Sequence, residues 1–446
     1  MPSKKINWCL VGLIILSALT HFIFLSYPSE VVFDEFYFGK FASDYLTKTP
    51  YFDIHPPLGK MMLASAGSIF NIETNCTFEE IGHPCSPNIF FALRFLPALF
   101  GTLSVILFYA FIKLLTNSKK IALTGGFLFI FENALLVQSR HIFLDIFLLF
   151  FGLLSLYFFI KATKKNYLIP SADNKYQKKQ WLFLTLSGLS LGACMSIKWT
   201  GIGFGGLLFF LMLIPLAEKK INFKKFVNMG VILASCVILV YSLQFLVHFY
   251  LLPNQGGPDS FLGQDFDDLS LSQKLITING KMFYANQIIG SSHPATSRFY
   301  QWPLMKKPIG LWDRTKNNTL IQIQLFGNPV IWGLSSFGML ILLISLFFKR
   351  LRREIYLSAF FPFFLLVGFL INLLPFTIVG RSTYLYHYFP AYTFAIFNLA
   401  IILNWVNKYN KKIFWILIFL IVVGFAVAAP ATYGFPPILP LEKMTN

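Results

Sequence analysis

Long runs of apolar residues dominate the chain, and short basic or polar segments separate them. Windows of about 20 apolar residues recur from end to end, which is the length that a helix needs to cross a bilayer. Because the runs are continuous rather than alternating, they predict helices and exclude a membrane β-barrel. We predict eleven transmembrane helices, over residues 8–27, 89–113, 121–137, 141–160, 181–197, 200–217, 226–252, 329–348, 355–374, 384–405 and 413–430.

The composition agrees with this pattern. Of the 446 residues, 56% are hydrophobic and only 13% are charged, which excludes a water-soluble protein. We therefore predict an all-α, multi-pass integral membrane protein.

The positions of the charged residues predict the orientation of the chain. The formal net charge is +18, and lysine and arginine concentrate in every second connecting segment, starting with Lys4 and Lys5. Cytoplasmic loops carry such an excess of basic residues, so the N-terminus is predicted to be cytoplasmic and the C-terminus outside. The positive charge is then explained by topology and anionic lipid, and nucleic acid is not an expected partner.

Two large outside loops divide the chain into three predicted parts. Residues 1–252 form a seven-helix transmembrane module, whose first outside loop, residues 28–88, carries the candidate catalytic groups. Residues 253–328 form a large outside loop, which we expect to lie over the active site. Residues 329–446 form a four-helix transmembrane module.

An acidic pair, Asp34 and Glu35, directly follows the first predicted span and lies among valines and aromatic residues. About twenty residues later His55 precedes two prolines, which favour the first turn of a helix. Charged groups at the membrane edge are costly, so this pair is a candidate general base. The alternative is that the acids cap the helix that follows them.

Basic residues converge on the same predicted face. Arg94, Arg140, Lys198 and Arg381 all lie near the outer ends of predicted spans, and Asp145 lies about one helical turn inside the membrane. Acids beside convergent cations suit a reaction with an anionic leaving group. Arg94 is predicted to pair with the acidic pair or with a lipid phosphate, and an interfacial anchor is the alternative. Asp145 could simply pair with Arg140 or the adjacent histidine. The sequence contains no metal-ligand spacing of cysteine and histidine, no phosphate-binding glycine motif and no nucleophile elbow.

Two of the five cysteines, Cys76 and Cys85, lie in the first outside loop. An oxidising compartment would favour a disulfide between them. Two free thiols are the alternative.

Together these residues resemble the protein O-mannosyltransferase family, membrane glycosyltransferases of the GT-C type. The matching segments run in family order over nearly the whole chain. They are Phe33-Asp34-Glu35 with residues 38–42, residues 51–57, residues 94–101, Ser139-Arg140 with Leu144-Asp145, residues 196–201, His293-Pro294, residues 302–305 and residues 386–391.

The resemblance implies eleven spans and outward-facing chemistry. It also implies inverting transfer of mannose from a polyprenyl or dolichyl phosphate to serine or threonine of translocating proteins. The lipid-phosphate sugar is then a co-substrate, and no other cofactor is expected. Because phosphate is already a good leaving group, no general acid is required, unlike in glycosidases.

Site roles carry over by position. Asp34 and Glu35 are the expected catalytic acids: Asp34 would deprotonate the acceptor hydroxyl, and Glu35 and Arg94 would support that site. Candidates for binding the lipid phosphate or the donor are Arg94, Arg140, Lys198, Arg381 and His387. Candidates for supporting the acceptor and the site are His55, Asp145, His293, Trp302 and Tyr388.

One departure from the family concerns the large outside loop. Eukaryotic members carry a MIR β-trefoil module there, and residues 253–328 are too few to hold it. This indicates a bacterial-type member in the inner membrane with its site facing the periplasm, or the ER membrane in a eukaryote. Two other functions remain open: a lipid-A or cell-envelope glycosyltransferase of the aminoarabinose-transferase type, and a lipid-linked sugar transporter without chemistry. The sequence shows no internal repeat of the kind often found in transporters.

Overall fold

The computed structural model describes residues 7–163, 174–258, 260–288, 290 and 294–437. Within these ranges the chain forms sixteen α-helices and one β-hairpin. The elements are α1 (Trp8–Phe22), α2 (Glu35–Thr47), α3 (Leu58–Ile69), α4 (Pro87–Thr116), α5 (Lys119–Ile130), α6 (Asn133–Arg140), α7 (Asp145–Thr163), α8 (Asn174–Met195), α9 (Ile202–Ala217), α10 (Phe223–Leu251), α11 (Leu271–Ile288), β1 (Ile309–Lys316), β2 (Thr319–Leu325), α12 (Pro329–Phe347), α13 (Lys349–Ile355), α14 (Phe360–Leu373), α15 (Phe389–Tyr409) and α16 (Lys411–Tyr433).

Each of the eleven predicted spans overlaps at least one of these helices. Among the described residues, eight helices are long and apolar enough to cross a membrane, or nine if α5 and α6 count as one bent span. Of the eleven predicted spans, the one at α1, which has only 15 residues, and the one at α8 fall outside this set. An integral membrane protein is therefore confirmed, while the count of eleven spans and the orientation of the termini stay predictions.

The third predicted span, residues 121–137, is not one straight helix. Helices α5 and α6 meet at an angle of 62°. The break falls at Glu132, whose side chain accepts a hydrogen bond from Ala134 N at 3.2 Å and so starts a new helix. Glu132 also accepts hydrogen bonds from Tyr392 Oη at 2.8 Å and Asn328 N at 3.1 Å, which satisfies a carboxylate with no exposed surface.

Both outside loops contain more regular structure than the sequence predicts. In the first loop, the predicted helix after the two prolines is α3, but α2 is an additional helix. In the second loop, α11 and the β1–β2 hairpin are additional, so the protein is helical except for this hairpin in the described part of the chain. The hairpin turns at Asn317 and Asn318, which both have positive φ and therefore suit a tight two-residue turn.

Helix α15 is the most enclosed of the candidate spans and joins the two predicted transmembrane modules. It packs against α5 from the first module and against α12, α14 and α16 from the second. Lipid tails are as apolar as leucine, so helices associate in a membrane through close packing and interhelical hydrogen bonds. Asn398 of α15 supplies such bonds, donating to Gly338 O at 2.7 Å and accepting from Tyr356 Oη at 2.8 Å. The division into three parts stays a prediction.

Candidate active site

A cavity of about 400 Å³ opens where the start of α2, the segment before α3, the turn before α9 and the segment before α15 meet. Its charged and titratable lining residues are Asp34, Asp53, His55, Lys198, Arg381 and His387. Aromatic side chains from α2, from the segment before α3 and from the segment before α15 complete the walls. The cavity therefore combines carboxylates and cations with apolar surfaces that restrict water.

Asp34 lies immediately before α2, in the N-cap position, but its side chain makes no capping hydrogen bond. Its carboxylate has no hydrogen bond or ion pair with any residue that the structure describes. Burial raises the pKa of Asp34 to about 7; Lys198 lowers this pKa, and the carboxylates of Asp145 and Asp53 raise it. Asp34 is thus an unpaired carboxylate on the cavity wall with the pKa of an effective base near neutral pH, and the geometry does not support the capping alternative.

Glu35 and Arg94 form a fully buried ion pair outside the cavity lining. Arg94 Nε and Nη2 each donate to one oxygen of the Glu35 carboxylate at 2.7 Å. The same carboxylate accepts hydrogen bonds from Val32 N and Ile142 N, both at 2.9 Å. Arg94 Nη1 also donates to Pro28 O at 2.8 Å. With its hydrogen-bonding groups already occupied, this pair fixes the chain on both sides of Asp34. It is the predicted pairing of Arg94 with the acidic pair, and its geometry fits support of the site rather than direct donor binding.

Arg140 is likewise occupied by backbone groups. Its guanidinium donates to Thr20 O, His21 O and Phe24 O at 2.9–3.2 Å, and it lies 4.4 Å from the centroid of the Tyr433 ring. These bonds fasten α6 to the end of α1. Arg140 lies outside the cavity lining, so the geometry differs from its predicted role in binding the lipid phosphate.

Lys198 lines the cavity and pairs with Asp145, the first residue of α7, at 2.8 Å. Its ammonium also lies 5.1 Å from the centroid of the Tyr386 ring. The turn that carries Lys198 is held against the start of α3, where Leu58 N donates to Ser196 O at 3.2 Å. The sequence alternatives for Asp145 were Arg140 or its neighbouring histidine, and the structure selects Lys198 instead.

Arg381 is the second cation of the cavity wall. Across the described ranges, its guanidinium makes no hydrogen bond or ion pair. A guanidinium that stays charged and has unused donors is suited to bind a phosphate group by two parallel hydrogen bonds. Arg381 and Lys198 therefore place two positive charges on the wall that also carries Asp34.

Two residues near His55, Asp53 and Lys60, were not predicted from the sequence as site residues. Asp53 lines the cavity and forms an ion pair with the buried Lys60, which also donates to His55 O at 2.6 Å. The sequence did contain a signal for Asp53, because this residue belongs to the same family segment as His55, residues 51–57. Burial, with smaller contributions from Lys198 and Arg381, lowers the pKa of His55 well below its usual range, so its imidazole is neutral.

The remaining predicted site residues lie in different places. His387 lines the cavity, where its Nδ1 accepts a hydrogen bond from Tyr384 N at 3.0 Å. Trp302 lies behind it, with the two rings stacked at 6.2 Å between centroids. Tyr388 is fully buried against Trp332, away from the cavity. His293 lies outside the described residues.

The structure joins Cys76 and Cys85 in a disulfide bond. The loop that this bond closes contains Phe78, whose ring lies directly against α2 at Gly39. A Cβ atom at Gly39 would lie 2.3 Å from the Phe78 ring, so only glycine permits this contact. The disulfide loop therefore packs against α2, the helix that begins directly after Asp34.

Comparison with known proteins agrees with this architecture. The structure of the S. cerevisiae protein O-mannosyltransferase Pmt1-Pmt2 complex bound to the sugar donor matches 98% of this chain and 91% of that chain with a TM-score of 0.81, at 18% identity. ArnT from Cupriavidus metallidurans bound to undecaprenyl phosphate matches 96% of this chain and 65% of that chain, with a TM-score of 0.57 and 12% identity. The protein therefore has the GT-C membrane fold that the sequence predicts.

Sequence comparison defines the family within this fold. The model for dolichyl-phosphate-mannose-protein mannosyltransferases matches residues 11–253, and the model for the C-terminal four-helix region of protein O-mannosyltransferases matches residues 271–444. The chain belongs to the protein O-mannosyltransferase family, as its motifs predicted. Protein O-mannosyl-transferase 1 of Rattus norvegicus is 35% identical over 272 residues, which is 58% of this chain and 36% of the rat protein. The chain spans 30% to 41% of the length of the curated relatives that it matches.

Proposed function

We propose that the protein transfers mannose from a polyprenyl or dolichyl phosphate to serine or threonine hydroxyls of proteins, with inversion at the sugar. The observation that carries this proposal is the unpaired carboxylate of Asp34 in a cavity that also contains Lys198 and Arg381. The family membership and the name of the rat relative support the same reaction.

The chemistry needs one base and one anionic leaving group. Asp34 accepts the proton of the attacking hydroxyl, whose oxygen forms a bond to the anomeric carbon while the bond from that carbon to the phosphate oxygen breaks. The electron pair of the broken bond leaves with the lipid phosphate, and Lys198 and Arg381 stabilise its charge. A single displacement of this kind inverts the anomeric configuration and needs no second carboxylate.

The proposed setting is a membrane in which the cavity lies on the side opposite the cytoplasm. The excess of lysine and arginine in alternate loops supports this orientation. Periplasmic chemistry at a bacterial inner membrane, or lumenal chemistry at an ER membrane, would place the site beside proteins emerging from translocation. In the described residues of the second outside loop we find a helix and a hairpin rather than a β-trefoil, so acceptor binding falls to the cavity and its rim.

The two alternative functions have less support. ArnT shares the fold with this chain at 12% identity, whereas the rat protein mannosyl-transferase shares 35% identity over more than half of it. Transporter sites lie near the bilayer midplane, whereas Asp34, Lys198 and Arg381 all lie in segments between the predicted spans.

The direct test is transfer of labelled mannose from polyprenyl-phosphate mannose to a serine- and threonine-rich peptide by the purified protein. Alkali-labile label on the peptide supports the proposal. Intact donor and unlabelled peptide, with the protein shown to be folded by its unfolding temperature, would reject it. Label on an added lipid acceptor instead of the peptide would favour the envelope glycosyltransferase.

The pH dependence of the reaction follows from the state of Asp34. Below its pKa of about 7 the carboxyl group is protonated and cannot accept the hydroxyl proton. We expect kcat/KM to rise about tenfold per pH unit up to about pH 7 and to level off above it, because this parameter reports the free enzyme. The profile should be measured from pH 5 to 9 with unfolding temperatures at each end. A profile that is flat, or that falls as pH rises through 7, would contradict the assignment.

Replacement of Arg381 should weaken donor binding. Arg381→Gln removes one of the two cations of the cavity wall, and a hydrogen bond to a charged group is worth about 1.5–3 kcal/mol. We expect KM for the lipid donor to rise about 10- to 100-fold while KM for the peptide stays unchanged. Arg353→Gln, at an exposed position on α13, is the matched control. A change in peptide KM alone would place Arg381 at the acceptor instead.

A further inference from the structure

Residues 29–33, which end just before Asp34, lie between two other pieces of chain. On one side, Val31 N donates to His83 O at 3.0 Å, next to the Cys76–Cys85 disulfide. On the other side, Phe33 N donates to Leu311 O of β1 at 3.0 Å. The position of Asp34 therefore depends on a hairpin that lies about 280 residues further along the chain.

Glu30 provides the side-chain link between this segment and the hairpin. One carboxylate oxygen accepts a hydrogen bond from Trp312 Nε1 at 2.9 Å, and the other accepts from Arg314 Nη1 at 2.9 Å. Both donors belong to β1. Trp312 is 3% exposed, so its indole N–H has little access to water as an alternative partner.

The backbone at the end of this segment needs such a restraint. Phe33 has φ of 44°, in the left-handed region that a residue with a bulky side chain rarely adopts. This conformation turns the chain from the extended segment into α2 and directs Asp34 to the cavity. A left-handed phenylalanine persists only where neighbouring contacts hold it.

We propose that Glu30 is a positioning residue that couples the β1–β2 hairpin to the turn at Phe33 and so holds the Asp34 carboxylate in its reactive orientation. The inference rests on the proposed transfer reaction. Glu30 and Arg314 are 19% and 61% exposed at their side chains, and exposed ion pairs contribute little to stability. A loss of rate that is much larger than any loss of folding is therefore the expected signature.

The test compares Glu30→Ala, Trp312→Phe and the double variant in the labelled-mannose transfer assay. Glu30→Ala should lower kcat about 10- to 100-fold with KM for donor and peptide unchanged, because a small displacement of a catalytic group costs this much. Trp312→Phe keeps the ring packing and removes only the N–H donor, so it should lower kcat less. The double variant should be no slower than Glu30→Ala, since both changes remove the same link.

The matched control is Glu354→Ala, which breaks another partly exposed carboxylate–arginine pair, with Arg350 on α13. It should leave kcat unchanged. The inference is overturned if kcat of Glu30→Ala stays within about twofold of wild type, if KM changes instead of kcat, or if the unfolding temperature falls in parallel with kcat.

A second measurement separates this inference from the proposed function. Carbodiimide labelling of Asp34 at a series of pH values, read by peptide mass spectrometry, gives a titration midpoint without any transfer. Glu30→Ala should move the midpoint toward the ordinary carboxyl range, because a released turn admits water. If wild-type protein transfers no mannose, the proposed function fails, and the labelling midpoint still decides for or against the role of Glu30.

Discussion

Asp34→Asn is expected to lower the rate of mannose transfer by about 100- to 10,000-fold, the contribution that a positioned general base makes. Asparagine has the same shape as aspartate and cannot accept the hydroxyl proton. The carboxylate of Asp34 has no hydrogen bond or ion pair within the described ranges, so the change breaks no structural contact there. The measurement is kcat of the purified variant with saturating donor and peptide.

Donor binding and folding should survive this substitution. The two cations that we assign to the lipid phosphate, Lys198 and Arg381, are unchanged, so the affinity for the donor should be equal to or slightly above that of wild type. Asp268→Asn, at an exposed aspartate in the second outside loop, controls for loss of a carboxylate. Transfer by Asp34→Asn within about tenfold of wild type would remove Asp34 from the role of base.

The transmembrane helices were predictable because their signal is local. Each predicted span overlaps a helix in the structure, since a run of about 20 apolar residues suits the membrane whatever surrounds it. The break between α5 and α6 was not predictable in this way. It depends on partners of Glu132 that lie about 200 and 260 residues away, Asn328 and Tyr392. A buried acid is visible in the sequence, but its partners are not.

The composition of the site was predictable, but the partners of Lys198 and Arg140 were not. The acidic pair and the cations at the outer ends of the spans do meet near one cavity. The expected roles, with Asp34 as the base and Glu35 and Arg94 as its support, agree with the fold, in which Asp34 faces the cavity while Glu35 binds Arg94. Neighbours at a helix start point in different directions, about 100° apart, so one side chain is exposed to the site and the next is buried.

The β1–β2 hairpin is a third feature that could not be predicted from the sequence. Its strands alternate weakly and carry many polar residues, including Asp313, Arg314 and Lys316. Strand formation here depends on packing of β2 against α16 and on the bond between Phe33 N and Leu311 O, both of which are long-range. Prediction of membrane spans from the sequence takes neither contact into account.

Replacing Arg94 should have the largest effect on stability. Arg94→Met leaves the Glu35 carboxylate buried without its cation, and breaking a buried ion pair in this way costs about 3–5 kcal/mol. The variant also loses the hydrogen bonds that Arg94 donates to Pro28 O and Glu30 O. We expect a clearly lower midpoint of thermal unfolding in detergent and a loss of activity that follows the loss of folded protein.

The double variant Glu35→Gln/Arg94→Met distinguishes a support role from a catalytic one. It removes both charges together, so it should unfold at a higher temperature than Arg94→Met alone and should recover part of the activity, because Asp34 and the cavity cations remain. As a control, Arg350→Met breaks the ion pair between Arg350, whose side chain is 94% exposed, and Glu354. This change should alter the free energy of unfolding by only about 0–1 kcal/mol. If the double variant regains stability but no activity at all, then Glu35 or Arg94 acts on the substrate as well as on the fold, and the assignment of this pair to support alone is wrong.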